Sequence, residues 1–173
     1  SYKNAWDYEG FMIDPYNSLI KEGEMSKNIG GHEYDYQAMT ELRQFAKRND
    51  ISIWLNVHAN TGAIRMTHRT EHEYGGYPIP PSAGDVEGGA KFVNRADDFF
   101  VFHRYTQHPT DWNQTHIHVR KVKETESGGR PTPMDNPIKL KSIINNVGFE
   151  IDGVNILQKI IQDRKAKTFL RKA

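Results

Sequence analysis

Two short apolar segments, each running into a polar residue, constrain the fold of this chain most. Residues 11–13 run into Asp14, and residues 51–57 run into His58. Between them, residues 34–48 carry apolar side chains at helical spacing, which predicts an amphipathic helix. A strand, a helix and a second strand in this order predict two parallel strands with their carboxyl ends at one sheet edge. Asp14 and His58 are therefore expected at the edge where open α/β sheets bind ligands.

The remaining sequence predicts an α/β domain over residues 1–152 and a basic amphipathic helix over residues 153–173. A long irregular stretch, about residues 59–86, is rich in glycine and proline and is typical of a functional or mobile loop. Beyond it the pattern predicts a short helix over 86–96, strands over 98–102 and 115–123, a turn at 127–131, and closing strands over 138–144 and 149–151. Together these elements predict a parallel sheet that antiparallel strands extend at its edge.

Two patterns predict which side chains are buried. In the strand over 115–123, Ile117 and Val119 alternate with His116 and His118. Alternation of this kind predicts a half-exposed strand with its histidines facing solvent. Trp54 and the phenylalanines at 99, 100 and 102 are expected in the core.

Composition excludes several classes of protein. The 173 residues fit one domain, and 23 basic against 22 acidic residues exclude a protein that is polybasic overall. Absence of cysteine excludes disulfides and thiolate metal sites, and suits a cytoplasmic protein. No run of about 18 apolar residues is present, so no membrane-spanning helix is expected. The first residues show no signal peptide and lead directly to the first strand, which suggests a cut inside a larger protein.

Asp14 and His58 have residue types that suit nucleotide chemistry. A magnesium ion bound to a nucleotide keeps several waters, so one carboxylate near the phosphates is often enough to hold it. A histidine beside it can donate a hydrogen bond to a terminal phosphate and move when that phosphate leaves. The alternatives are an Asp14 that only caps the turn before Pro15, and a His58 that is satisfied by the backbone.

Five pieces of the sequence occur in the order found in one helicase family. They are residues 11–14, the helix at 37–47, the strand ending in Val57 and His58, residues 85–98, and residues 119–123 followed by Gly128 and Gly129. Residues 11–14 resemble the Walker B strand, and residues 37–47 resemble the helix after it. The strand ending in Val57 and His58 resembles the phosphate-sensing strand. Residues 85–98 resemble the small residues and helix before an "ADxxh" strand, and residues 119–123 with the two glycines resemble the "K-x-R … G" strand and turn. Over residues 8–145 the chain thus resembles the C-terminal half of the RecA-like domain of replicative ring helicases of the DnaB, Twinkle and phage primase-helicase type.

The resemblance implies that the fold is a partial RecA-like three-layer sandwich. It implies that the chain is part of an ATP-dependent DNA helicase that acts in DNA replication. The intact helicase would be a homo-oligomer, and a hexamer is expected. Asp14 would bind the Mg²⁺ of ATP, and His58 would sense the terminal phosphate. Lys121 and Lys123 would reach into the nucleotide site of the neighbouring subunit. The family usually has arginine where this chain has Lys123, and lysine offers a point charge instead of a two-pronged fork.

The resemblance also implies two loops that face single-stranded DNA. They lie at about residues 20–33 and 61–76, and their basic residues are Lys21, Lys27, Arg65 and Arg69. Basic side chains on mobile loops suit contact with phosphates regardless of base sequence. Nearby glutamates reduce the positive field, so ordinary solvated loops are the alternative.

One essential part of a nucleotide site is missing from these residues. No G-x-x-x-x-G-K-[ST] occurs in the sequence, so the chain alone is not expected to hydrolyse ATP. A second hypothesis is a non-catalytic DNA-binding or assembly module derived from such a motor. A third is a metal-dependent hydrolase that uses His68, Glu71 and His72 of an H-x-x-E-H sequence, which requires that this segment form a helix.

Overall fold

The computed structural model describes residues 8–19, 30–143 and 148–170. Its elements are β1 (Gly10–Ile13), α1 (Gly31–Asn49), β2 (Ser52–Leu55), α2 (Thr61–Ile64), α3 (Lys91–Arg95), β3 (Asp98–His103), β4 (Gln114–Val122), α4 (Thr125–Gly128), β5 (Ile138–Ser142), β6 (Phe149–Ile151), β7 (Val154–Asn155) and α5 (Ile156–Leu170), with 3₁₀ turns at Tyr16–Ser18 and Ala83–Asp85. Among the helices of these three ranges, none has the length and apolar character needed to cross a membrane.

The strands form two sheets instead of the single sheet that the sequence predicts. β1 and β2 pair in parallel, with Met12 opposite Trp54. The other five strands form an antiparallel sheet in the order β3, β4, β5, β6, β7. β3 pairs with β4 and not with β2. The two sheets contact each other through side chains, with the Trp54 ring stacked on Phe100 at 5.9 Å between centroids. The fold is therefore mixed α/β with a small parallel sheet.

One face of the parallel sheet is covered by α1. The alternation of β1 turns Phe11 and Ile13 towards this helix, where Phe11 meets Phe45 edge to face at 6.3 Å. Ile13 packs against the main core, which consists of Tyr16, Met39, Val86, Phe92 and Val93. This core holds the carboxyl ends of β1 and β2 against the helices.

The opposite face of the parallel sheet is only partly covered in the described residues, where Phe100 stacks on Trp54. Met12 is 61% exposed and Trp54 is 50% exposed, and Phe102 on the second sheet is 65% exposed. The prediction that Trp54 and Phe102 belong to the core is therefore wrong, because half or more of each side chain is exposed. A three-layer sandwich has helices on both faces of its sheet, and in the described ranges α1 covers one face of the parallel sheet.

Helix α3 is shorter than the predicted helix over 86–96. Gly88 and Gly89 have φ values of +90° and +94°, in the left-handed region that glycine adopts at low cost. This backbone cannot continue a right-handed helix, so α3 begins only at Lys91. Val86 is instead buried in the core ahead of the turn.

The helix α5 begins directly after β7, within the range 153–173 of the predicted basic amphipathic helix. Its apolar residues Leu157, Ile160 and Ile161 are each more than two-fifths exposed. These three side chains are therefore not buried by the described part of the chain. The division of the chain at residue 152 stays a prediction.

A buried ion pair joins α1 to α3 behind the edge of the parallel sheet. The Lys91 ammonium lies 2.8 Å from the Asp35 carboxylate, and both side chains are more than nine-tenths buried. The Tyr16 hydroxyl donates to the same carboxylate at 3.0 Å. Burial and the neighbouring Asp35 raise the pKa of Tyr16 above its ordinary value. The turn after β1 is thus tied to both helices.

Candidate functional site

Asp14 and Asn56 form the centre of the site, at the carboxyl ends of β1 and β2. The Asn56 side-chain amide donates to Asp14 Oδ1 in a short hydrogen bond. Backbone hydrogen bonds continue the parallel pairing past the strands, since Asn56 N donates to Ile13 O and Tyr16 N donates to Asn56 O, both at 2.9 Å. Asp14 itself is exposed.

His58 lies at the same edge and is connected to two further polar residues. Its backbone N–H donates to Asn17 Oδ1 at 3.1 Å, and its carbonyl accepts from Glu87 N at 2.8 Å. The Asn17 amide donates in turn to the Glu87 carboxylate at 3.1 Å. His58 itself is exposed. The structure therefore places both predicted edge residues, Asp14 and His58, at adjoining strand ends.

Sequence reasoning missed Asn56, Asn17 and Glu87. The parallel pairing contained a signal for Asn56. When Met12 lies opposite Trp54, Asp14, two residues further on, lies opposite Asn56. No comparable signal indicated Glu87, which reaches this edge only because of the turn before α3.

The edge suits a magnesium ion held mainly by a nucleotide and water. Asp14 supplies one exposed carboxylate, which is enough for an ion that keeps several waters. In the described parts of the chain no three histidine or acidic side chains are arranged to hold a metal ion. The sequence also lacks a glycine-rich phosphate loop, so nothing in it would cradle the phosphates of ATP. The residues fit one part of a nucleotide site.

Lys121 and Lys123, at the end of β4 and just beyond it, both make contacts within the chain. Lys121 Nζ donates to the carbonyls of Val93 and Ala96, each at 2.8 Å, at the end of α3. Lys123 Nζ lies 3.0 Å from Asp97 Oδ1, which also binds Arg43 at 2.8 Å. Burial would raise the pKa of Asp97, but the hydrogen bond from Lys123 and the charge of Arg43 lower it. Lys123 is partly exposed and its exposed ion pair is weak, so it is freer to move than Lys121.

The predicted DNA-contacting residues fall into two groups. Lys21 and Lys27 lie outside the described residues. Arg65 and Arg69 are exposed and follow α2 on the segment of residues 65–80.

The zinc hydrolase hypothesis has no support in this geometry. The H-x-x-E-H segment is a turn and not a helix. The His68 and His72 rings stack face to face at 4.0 Å, and the His68 Nε2 atom is hydrogen-bonded to the Tyr105 hydroxyl at 2.9 Å. Glu71 is exposed and hydrogen-bonds to Thr70.

The prediction that His116 and His118 face solvent is wrong. They are 1% and 3% exposed, among the most buried residues described. Tyr74 and Tyr105 cover this face of the antiparallel sheet, with ring centroids 5.4 and 5.3 Å from His116. Burial lowers the pKa of His118 to about 4, and that of His103 on the paired strand to about 4 as well.

These buried histidines predict that the chain loses stability in mild acid. A histidine of the unfolded chain titrates near pH 6.5. Between pH 6.5 and pH 4 the unfolded state therefore binds more protons than the folded state, and the free energy of unfolding falls as the pH falls. His103 and His118 would each contribute a loss of about 3 kcal/mol by pH 4. Thermal melting between pH 7.5 and 4.5 measures this loss.

A matched pair of variants assigns the loss to burial. His118→Leu and His103→Leu should each make the dependence of melting temperature on pH shallower, because each removes one of the two histidines whose pKa burial lowers. Melting temperatures independent of pH in the unsubstituted chain would contradict the assignment.

Comparison with known proteins gives one significant similarity. No protein-family model matches the chain. Over 122 residues the chain is 29% identical to the Twinkle homolog protein, chloroplastic/mitochondrial, of Arabidopsis thaliana. The match covers 69% of this chain and 15% of that protein, so the chain spans a small part of that relative's length. This distant similarity supports a relation to the Twinkle type of DnaB-like helicases, which the sequence motifs also resemble.

Proposed function

We propose that the chain is part of an ATP-dependent DNA helicase of DNA replication, in which Asp14 is the Walker B carboxylate and His58 the phosphate sensor. The observation that carries this proposal is the pairing of β1 with β2, which brings Asp14 and His58 to adjoining carboxyl ends in front of α1. The similarity to the Twinkle homolog supports the same class of protein. ATP is the substrate and Mg²⁺ the metal ion.

Each residue of the edge has a role in this proposal. The carboxylate of Asp14 holds Mg²⁺ through direct or water-mediated contact, while Asn56 fixes its orientation. His58 donates a hydrogen bond to the terminal phosphate. Because the backbone of His58 is bonded to Asn17 and Glu87, loss of that phosphate changes the position of both.

The phosphate loop belongs to residues outside this sequence. The exposed Met12 and Trp54 support this, because an apolar sheet face of this kind is buried in a complete three-layer domain. We further propose that the complete protein assembles as a hexamer on single-stranded DNA, with Lys123 pointing towards the nucleotide of the next subunit. Arg65 and Arg69, together with Lys21 and Lys27, contact DNA phosphates.

Substitution of His58 tests the sensor role. In the longest natural polypeptide that contains the chain, His58→Ala should leave basal ATP hydrolysis within about three-fold and remove most of its stimulation by DNA. The reason is that His58 reports the loss of phosphate but does not hold the magnesium ion. Steady-state ATP hydrolysis with and without an oligothymidylate measures both rates.

The control for this substitution is Asp98→Ala, at the exposed first residue of β3. It should keep DNA stimulation. Normal DNA-stimulated hydrolysis and unwinding by the His58→Ala protein would remove the sensor role.

The second candidate function is a non-catalytic DNA-binding or assembly module. The missing phosphate loop favours it, because the described edge cannot hold a phosphate chain by itself. The longest natural polypeptide distinguishes the two functions. Mg²⁺-dependent ATP hydrolysis supports the helicase, whereas salt-dependent DNA binding without hydrolysis supports the module.

A further inference from the structure

Residues 65–80, which we call the docked segment, close on themselves. His68 N donates to Tyr77 O at 2.8 Å, and Gly76 N donates back to His68 O at 3.0 Å. Ile79 N donates to Met66 O at 2.8 Å, which closes the base of the segment. The sequence predicts a functional or mobile loop here, and the structure shows an irregular segment whose two arms are hydrogen-bonded to each other.

A pair of stacked tyrosines packs the docked segment onto the antiparallel sheet. The rings of Tyr74 and Tyr105 are nearly parallel, with an interplanar angle of 3° and centroids 3.9 Å apart. They are only 4% and 3% exposed. His116 of β4 meets both rings edge to face. Aromatic contacts of this kind are worth about 1 kcal/mol each beyond the area that they bury.

Polar contacts fix the same stack at its rim. The Tyr74 hydroxyl donates to Asp111 Oδ2 at 2.7 Å and accepts from Lys139 Nζ at 3.3 Å. The Tyr105 hydroxyl is hydrogen-bonded to His68 Nε2 at 2.9 Å. The docked segment is therefore attached to the β3–β4 connection and to β5, and no single contact carries the attachment.

We propose that Tyr74 and Tyr105 are positioning residues, which fix the docked segment on the antiparallel sheet and so set where Arg65 and Arg69 meet DNA. The part that concerns DNA rests on the proposed function, and the docking of the segment does not. Arginine side chains lose much conformational freedom on binding. When the backbone of the docked segment is already fixed, less conformational entropy remains to be lost on binding. The two arginines then bind two phosphates at once with a smaller loss of entropy.

Hydrogen exchange tests the docking in the longest natural polypeptide that contains the chain. Tyr74→Leu removes the stack and should speed exchange of the amides of His68, Gly76 and Ile79 by roughly ten-fold, without a change in the β1–β2 amides. Tyr74→Phe keeps the stack and should largely restore slow exchange. Glu71→Ala is the control, since it removes an exposed side chain of the same segment that hydrogen-bonds to Thr70.

Two results of this experiment would overturn the docking. One is unchanged exchange in the segment of the Tyr74→Leu protein, which would mean that the segment holds its shape without the stack. The other is an equal acceleration in β1 and β2, which would make Tyr74 an ordinary core residue of the whole molecule.

The salt dependence of DNA binding tests the positioning. For single strands, the slope of log K against log salt decreases in magnitude by about 0.7 for each phosphate that the protein no longer neutralises. Replacing Arg65 and Arg69 by alanine together should therefore reduce the slope by about 1.4. Tyr74→Leu should reduce it by a similar amount although it removes no charge, and Tyr74→Phe should restore it. Fluorescence anisotropy of a labelled oligothymidylate measures the slopes.

The outcomes separate the two proposals. A full slope in the Tyr74→Leu protein, together with a reduced slope in the double arginine variant, would overturn the positioning role. A full slope in the double arginine variant would mean that these arginines do not contact DNA. That result would remove this part of the proposed function and leave the docking to be decided by hydrogen exchange.

Discussion

Asp14→Ala should reduce Mg²⁺-dependent ATP hydrolysis at least about a hundred-fold in the longest natural polypeptide that contains the chain. Asp14 is the exposed carboxylate at the joined ends of β1 and β2. Without it, the Mg²⁺ that neutralises charge on the transferred phosphate loses its protein ligand. The reaction is measured as phosphate release at saturating ATP, and the residual activity of the variant should need a higher Mg²⁺ concentration for its half-maximal rate.

This test needs controls that distinguish loss of the fold from loss of the magnesium ligand. Asp98→Ala, at the exposed first residue of β3, is the matched control and should retain hydrolysis. Asn56→Ala should have an intermediate effect, because it frees the Asp14 carboxylate from its orienting hydrogen bond but leaves both oxygens in place. Unchanged turnover by the Asp14→Ala protein would contradict the Walker B assignment, whereas absence of hydrolysis in the unsubstituted protein would favour the DNA-binding module.

Local patterns predict the part of the fold that brings the edge residues together. The apolar run before Asp14, the helical periodicity of α1 and the apolar run before His58 each satisfy a local rule. Parallel pairing of the two strands follows from the helix between them. The position of the site could therefore be predicted from the sequence.

Burial on the two sheets could not be predicted in this way, because it depends on what covers each face. Alternation in β4 separates His116 and His118 from Ile117 and Val119, but it does not say which side is buried. The docked segment decides this by placing Tyr74 over the histidines. Trp54 is the opposite case. A tryptophan in an apolar strand is expected in the core, but half of this side chain is exposed.

Asp35→Ala should lower the free energy of unfolding by about 3 to 5 kcal/mol. The variant leaves the Lys91 ammonium, whose side chain is 6% exposed, without the carboxylate 2.8 Å away. A buried charge without a partner is far more costly than the pair. Denaturant unfolding of the chain at pH 7.5 measures the loss. We expect the midpoint to fall because α1 and α3 lose their link.

Replacing both members of the pair distinguishes a cost of isolated charge from a loss of packing. Asp35→Leu combined with Lys91→Met removes both charges and keeps apolar volume, so it should cost much less than Asp35→Ala alone. Arg43→Ala is the exposed control, because the Arg43–Asp97 pair at 2.8 Å is partly solvated and should be worth less than about 1 kcal/mol. A double variant as unstable as Asp35→Ala would show that shape, and not charge, makes this junction stable. The edge that carries Asp14 would then depend on packing around Tyr16, whose hydroxyl binds the same carboxylate.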